Sequence, residues 1–153
     1  MDIKVLDQKA EPALAVKQPA VNMKNLQAVM GEAYGLIMKK LEELGKEITG
    51  APYVLYTNAN PDYSVFDLEM GFPVAEELPV DGDLYMTKTY EGKAVEAIHK
   101  GPYDTLEETY VAMMKYIQEN SLEATGETYD FYLNNPMETK PEELLTKVVM
   151  PVK

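Results

Sequence analysis

Cysteine is absent from this 153-residue chain. That excludes disulfides, thiolate metal centres and the small secreted scaffolds that rely on cross-links. Arginine is absent as well. Nucleic-acid binding draws most of its affinity from Lys and Arg at phosphates, and the lysines here are scattered rather than clustered. No direct nucleic-acid binding is expected. His99 is the one histidine, and the dispersed carboxylates show no ligand spacing, so neither a metal nor another cofactor is expected. There is no Gly-x-Ser-x-Gly run and no phosphate loop, and Gly31-Glu32-Ala33-Tyr34-Gly35 is not a nucleotide fingerprint. No apolar run approaches the roughly 20 residues of a membrane span. The N-terminal stretch carries early acids and no unbroken apolar segment, so it does not read as a signal peptide. The expectation is a cytoplasmic chain that does not enter a membrane.

What is present is acid: 26 Asp and Glu against 14 basic residues, a formal charge of −12. Such a surface attracts cations and repels anions, and it also keeps a protein soluble. The length suits one domain, which buries roughly 68–70% of its unfolded surface without staples.

The chain repeats itself. Glu32, Tyr34, Met38, Lys39 and Glu43 recur as Glu108, Tyr110, Met114, Lys115 and Glu119, an offset of 110 − 34 = 76. Glu47, Thr49, Gly50, Tyr53, Tyr56 and Asn58 recur at the same offset as Glu123, Thr125, Gly126, Tyr129, Tyr132 and Asn134. Phe72-Pro73-Val74 matches Met150-Pro151-Val152, where the offset has grown to 78. Register kept through a helix, a turn and a strand is the mark of a duplication. The copies run over about residues 12–75 and 84–153 of a single domain, 1–153.

Each copy reads as strand–helix–strand–strand. Leu14–Lys17 and Ala94–Lys100 are extended. One helix starts at Asn22 or Asn25, with apolar residues at Leu26, Met30, Ala33, Ile37, Leu41 and Leu44. The other starts at Asp104 or Thr105, with Leu106, Tyr110, Met113, Met114 and Ile117 at helical spacing. Asp104 with Glu107 resembles a capping box. Gly45 and Asn120 suit left-handed C-terminal positions. Strands follow over 52–58, 64–74, 128–134 and 144–152, bounded by Pro, Asn and Asp turns. Asp83–Tyr90 makes a further strand, and Ile3–Leu6 an edge strand. The fold class is α+β: duplicated units forming an antiparallel sheet, two helices on one face, and a ligand groove at the pseudo-twofold seam.

Alternation along strands sorts side chains by face. Tyr129, Phe131 and Leu133 suit the helix layer, which sends Asp130 and Tyr132 to the helix-free face. Tyr53 and Leu55 would face the helices, with Val54 and Tyr56 facing away. Asp67 and Glu69 lie opposite Phe66, Leu68 and Met70. Two tyrosines and several carboxylates are thus expected on the free face. Asp130 also breaks the internal symmetry, because its counterpart is Val54.

His99-Lys100-Gly101-Pro102-Tyr103-Asp104-Thr105-Leu106 is close to the H-x-G-x-Y-x-x-L run of the GyrI-like effector-binding family. Asp130-Phe131-Tyr132-Leu133-Asn134-Asn135-Pro136 resembles its acidic-x-Tyr-Leu-x-x-Pro strand. Glu69–Val74, Met150–Val152 and Pro141–Thr146 resemble further family segments, so the likeness covers nearly the whole chain. It implies the SOUL-like fold of two strand–helix–strand–strand units with a pocket at their junction. It also implies a hydrophobic, often cationic ligand. Many members sit behind DNA-binding domains in multidrug-sensing or AraC-type regulators. Others stand alone, and some of those resemble hydrolases that open strained cyclopropane rings. Members usually carry glutamate where Asp130 stands, and aspartate reaches less far.

Carboxylate and aromatic rings together suit a flat organic cation, by charge pairing and cation–π attraction. The ligand-binding candidates are Asp130, Glu69, Tyr56, Tyr132, Tyr110 and Tyr34. Against them stand plain readings: Tyr34 and Tyr110 as helix-stripe core, Glu69 as a solvated strand residue, Tyr103 as structural. Hydrolysis would need Asp130 or Glu69 with Tyr132, while His99 in its strand run reads as structural. No catalytic residue is assigned. The leading reading is a stand-alone small-molecule sensor or sequestering protein. The alternatives are a small hydrolase of toxic natural products and a ligand-dependent partner of a transcription factor. A protein partner or a second copy of the chain stays open.

Overall fold

The computed structural model describes residues 2–153. It divides into two compact units. Unit 1 comprises the chain up to Lys9 together with Tyr90–Lys153, and unit 2 comprises Ala10–Thr89.

Unit 1 holds β1 (Lys4–Gln8), and unit 2 holds β2 (Pro12–Asn22), α1 (Leu26–Leu44), β3 (Tyr53–Thr57), β4 (Val65–Pro73) and β5 (Leu84–Lys88). The chain then returns to unit 1 for β6 (Gly92–Lys100), α2 (Leu106–Glu119), β7 (Thr128–Tyr132) and β8 (Leu145–Pro151). Within unit 2 the strands lie in the order β3-β4-β2-β5, and within unit 1 in the order β1-β6-β8-β7. The pairings described within each unit are antiparallel. Each unit is therefore strand–helix–strand–strand with one added edge strand, β5 or β1, and the class is α+β. The further strand expected over 83–90 is β5, which pairs with β2 of unit 2.

The helices form where the apolar spacing places them. α1 buries Ala33, Ile37 and Leu41, and α2 buries Leu106, Thr109, Met113 and Ile117. In unit 1 the α2 stripe packs on Val95, Ala97, Val148, Met150 and Val152. Full burial of each large apolar side chain contributes about 1.5–3 kcal/mol. Met114 is not part of that core; it is 49% exposed. A single 3-10 turn leads into each helix, at Met23–Asn25 and at Tyr103–Thr105. Asn22 caps the first turn through the Lys24 amide at 2.9 Å. The capping box expected at Asp104 does not form: Asp104 lies inside the 3-10 turn, and the N-cap of α2 is Thr105, whose hydroxyl donates to the Pro102 carbonyl at 2.8 Å. Gly45 ends α1 in the left-handed conformation, at φ 66°. After α2 it is Ser121, at φ 55°, that takes this conformation. Asn120 stays at negative φ and its side-chain amide returns to the Tyr116 carbonyl. Among the described residues, no helix is long and apolar enough to cross a membrane.

Candidate ligand site

Register fixes which side chains share a face. In unit 1, Asp130 stands opposite Val148 and Tyr132 opposite Thr146. Val148 belongs to the core under α2, so Asp130 and Tyr132 point toward the helix. In unit 2, Val54 pairs with Met70 and Tyr56 with Leu68. Phe72, of the same parity, meets Tyr34 of α1 edge-on at 5.1 Å. Val54 and Tyr56 therefore lie on the α1 face. This reverses the assignment expected for β3 and β7, whereas on β4 Leu68 and Met70 face α1 and Glu69 faces away, as expected. Tyr53, Tyr129 and Phe131 occupy the helix-free faces, with the Lys147 ammonium 4.6 Å from the Phe131 ring centre. Alternation says which residues go together; it does not say which set meets the helix.

The α2 face of unit 1 carries the polar centre. Asp130 is 0% exposed. The Tyr110 hydroxyl, from the second turn of α2, donates a short hydrogen bond to its carboxylate. Tyr132 lies two residues along the same strand face. Tyr103, in the turn that opens α2, meets Tyr132 edge-on at 5.5 Å. Burial pushes the Tyr103 phenol above its ordinary pKa, so it remains protonated through the neutral range. A carboxylate accepting a phenol hydroxyl, with further rings close by, is suited to a cation delivered on an apolar body. Tyr103, read from sequence as structural, thus joins the site; its place after Gly101-Pro102 was the available signal.

Unit 2 holds the matching positions with different chemistry. Tyr34 donates its hydroxyl to the Tyr53 carbonyl at 2.6 Å, where Val54 takes the place of an acid. Tyr56 packs edge-on against Phe66 at 5.4 Å. Glu69 is not with them. It projects from the helix-free face, where the Tyr53 and Tyr85 hydroxyls donate to it at 2.9 and 2.5 Å. So Asp130, Tyr110 and Tyr132 come together, Tyr34 and Tyr56 share the α1 face, and Glu69 stands on a different surface.

His99 is buried and held at both ring nitrogens. Nε2 faces the Pro102 carbonyl at 3.2 Å and the Thr105 hydroxyl at 3.0 Å, while Nδ1 faces the Thr109 hydroxyl at 2.6 Å. A carbonyl can only accept, so Nε2 carries a proton. The ring ties the end of β6 to the start of α2, a structural role.

The GyrI-like small molecule binding domain model matches residues 1–153. The chain belongs to that family. No curated protein sequence matches. Among solved structures, the EcmrR C-terminal domain superposes with a TM-score of 0.87 at 17% identity, covering 99% of this chain and 97% of that one. A hydrolase from Listeria innocua gives 0.72 at 14% identity, with 99% and 91% covered. SAV2435 bound to tetraphenylphosphonium gives 0.66 at 13% identity, with 100% and 94% covered. At these identities the likeness establishes a shared GyrI-like fold.

Proposed function

We propose that this chain binds a hydrophobic organic cation, aromatic in character, through Asp130 and the phenols of Tyr110, Tyr132 and Tyr103, and serves as a sensor or sequestering protein. The observation that carries the reading is the fully buried Asp130 carboxylate beneath α2, which accepts the Tyr110 hydroxyl on a face shared with the Tyr132 ring. Burying a carboxylate costs several kcal/mol unless it gains partners. A cation brought in on an apolar body interacts strongly with a buried acid, because water is scarce there. The −12 net charge favours approach of cations over anions. That SAV2435 shares this fold and holds tetraphenylphosphonium supports the ligand class. Tyr34 and Tyr56 are further contact candidates on the α1 face, where Val54 offers no charge.

The internal repeat and the equal topology of the two units support an origin by duplication, with the acid present in one copy only.

The test is fluorescence titration of the protein with a cationic aromatic dye and its neutral analogue, each mixture then weighed by mass spectrometry. Saturable preference for the cation, with the compound unchanged, supports binding alone. A time-dependent gain of one water would assign hydrolysis instead.

A further inference from the structure

The second buried carboxylate has surroundings of its own. On the helix-free face of unit 2, cross-strand register sets Tyr85 beside Ala15, Ala15 beside Gly71, and Gly71 beside Tyr53. One step along, Lys17 stands beside Glu69. The two rings flank a floor of small residues and converge on the carboxylate. Gly71 is required there: a Cβ would come within 2.9 Å of both the Tyr53 hydroxyl and the Leu14 carbonyl.

Glu69 is 8% exposed. Its oxygens each accept one phenol hydroxyl, from Tyr53 at 2.9 Å and from Tyr85 at 2.5 Å. Among the described residues it has no ion-pair partner. Its cross-strand neighbour Lys17 is exposed, and its ammonium lies 5.4 Å from the Tyr85 ring centre. A primary ammonium on a thin alkyl stem therefore already rests at the edge of this cluster, over the ring whose hydroxyl holds Glu69. The register-equivalent position in unit 1 is Lys147, which places its own cation over Phe131. Unit 1 supplies a cation at this point of the sheet, and unit 2 supplies an acid.

We propose that Glu69, Tyr85 and Tyr53 form a second cation site, separate from Asp130, that takes the primary ammonium of a linear alkylamine, with Lys17 as its resident competitor. The narrow exposure of Glu69 selects a compact head group on an extended stem. It disfavours the bulky aromatic cations proposed for the Asp130 site. Displacing Lys17 from the ring frees a cation–π surface, while Glu69 supplies the charge.

The test follows backbone amide NMR shifts as 1,5-diaminopentane is added to the full chain. Wild type and Asp130→Asn should both show saturable shifts at residues 17, 69 and 85. Lys17→Met, a change at an exposed side chain, should tighten binding about two- to fivefold by removing the competitor. Glu69→Gln should abolish the saturable shifts. Unchanged or weaker binding in Lys17→Met overturns the proposal, and so does binding that survives Glu69→Gln. Loss of the shifts in Asp130→Asn would show that the two carboxylates do not act separately. Should Glu69→Gln fail to fold, Lys17→Met alone decides.

Discussion

The Tyr110 hydroxyl donates to the Asp130 carboxylate, whereas its counterpart Tyr34 donates to the backbone carbonyl of Tyr53. Two tyrosines 76 positions apart in one repeated framework thus serve different acceptors. The difference traces to one residue, Asp130 against Val54. Removing a donor from a buried charge costs more than removing one from a neutral carbonyl, about 1–3 against 0.5–1.5 kcal/mol. Tyr110→Phe should therefore lower unfolding free energy in urea more than Tyr34→Phe does. The reverse order would mean that the carboxylate does not depend on the phenol.

The strands, both helices and their order were legible because alternation, helical spacing and Pro-Asn turns agree along the whole chain. The faces of β3 and β7 were not, whereas β4 reads correctly, with Glu69 opposite Leu68 and Met70. Tyr53 and Ala13 on the helix-free side are as fully buried as Val54 and Met70 on the α1 side, all at 0% exposure. With both faces apolar, hydrophobicity cannot mark the one that meets the helix, and Asp130 was placed on the wrong side. Tyr85 carries no repeat signal, because it lies on the connecting strand, where the repeat has no internal partner to compare.

Two glycines make opposite predictions. Gly35 lies inside α1, and a Cβ added there meets nothing within 4 Å. Gly35→Ala should stabilise the protein by about 1 kcal/mol through helix propensity alone. Gly71→Ala should destabilise it by about 1–3 kcal/mol, since the methyl group would press on the Leu14 carbonyl and on Tyr53. Thermal or urea unfolding of both variants checks the pair. A stabilising Gly71→Ala would contradict the close approach of Tyr53 to Gly71.

Asp67 gives a pH prediction. The Asn58 side-chain amide and then the Ala20 backbone N–H, each at 2.8 Å, hold its carboxyl below the ordinary aspartate range. A folded-state value below the unfolded one means that the contribution is complete above the unfolded pKa. It is lost as pH falls through the folded pKa. Carboxyl NMR should give Asp67 a midpoint below an ordinary aspartate, and Asn58→Ala should raise it. A midpoint at or above the ordinary value, or one indifferent to Asn58, would contradict these contacts.

The central claim is that Asp130 recognises positive charge. The direct measurement compares wild type with Asp130→Asn in titrations with a cationic aromatic dye and its neutral analogue. Loss of about 1–3 kcal/mol for the cation, the scale of one hydrogen bond to a charged group, with a smaller loss for the neutral compound, is the predicted result. Equal losses for both compounds would contradict charge recognition at Asp130.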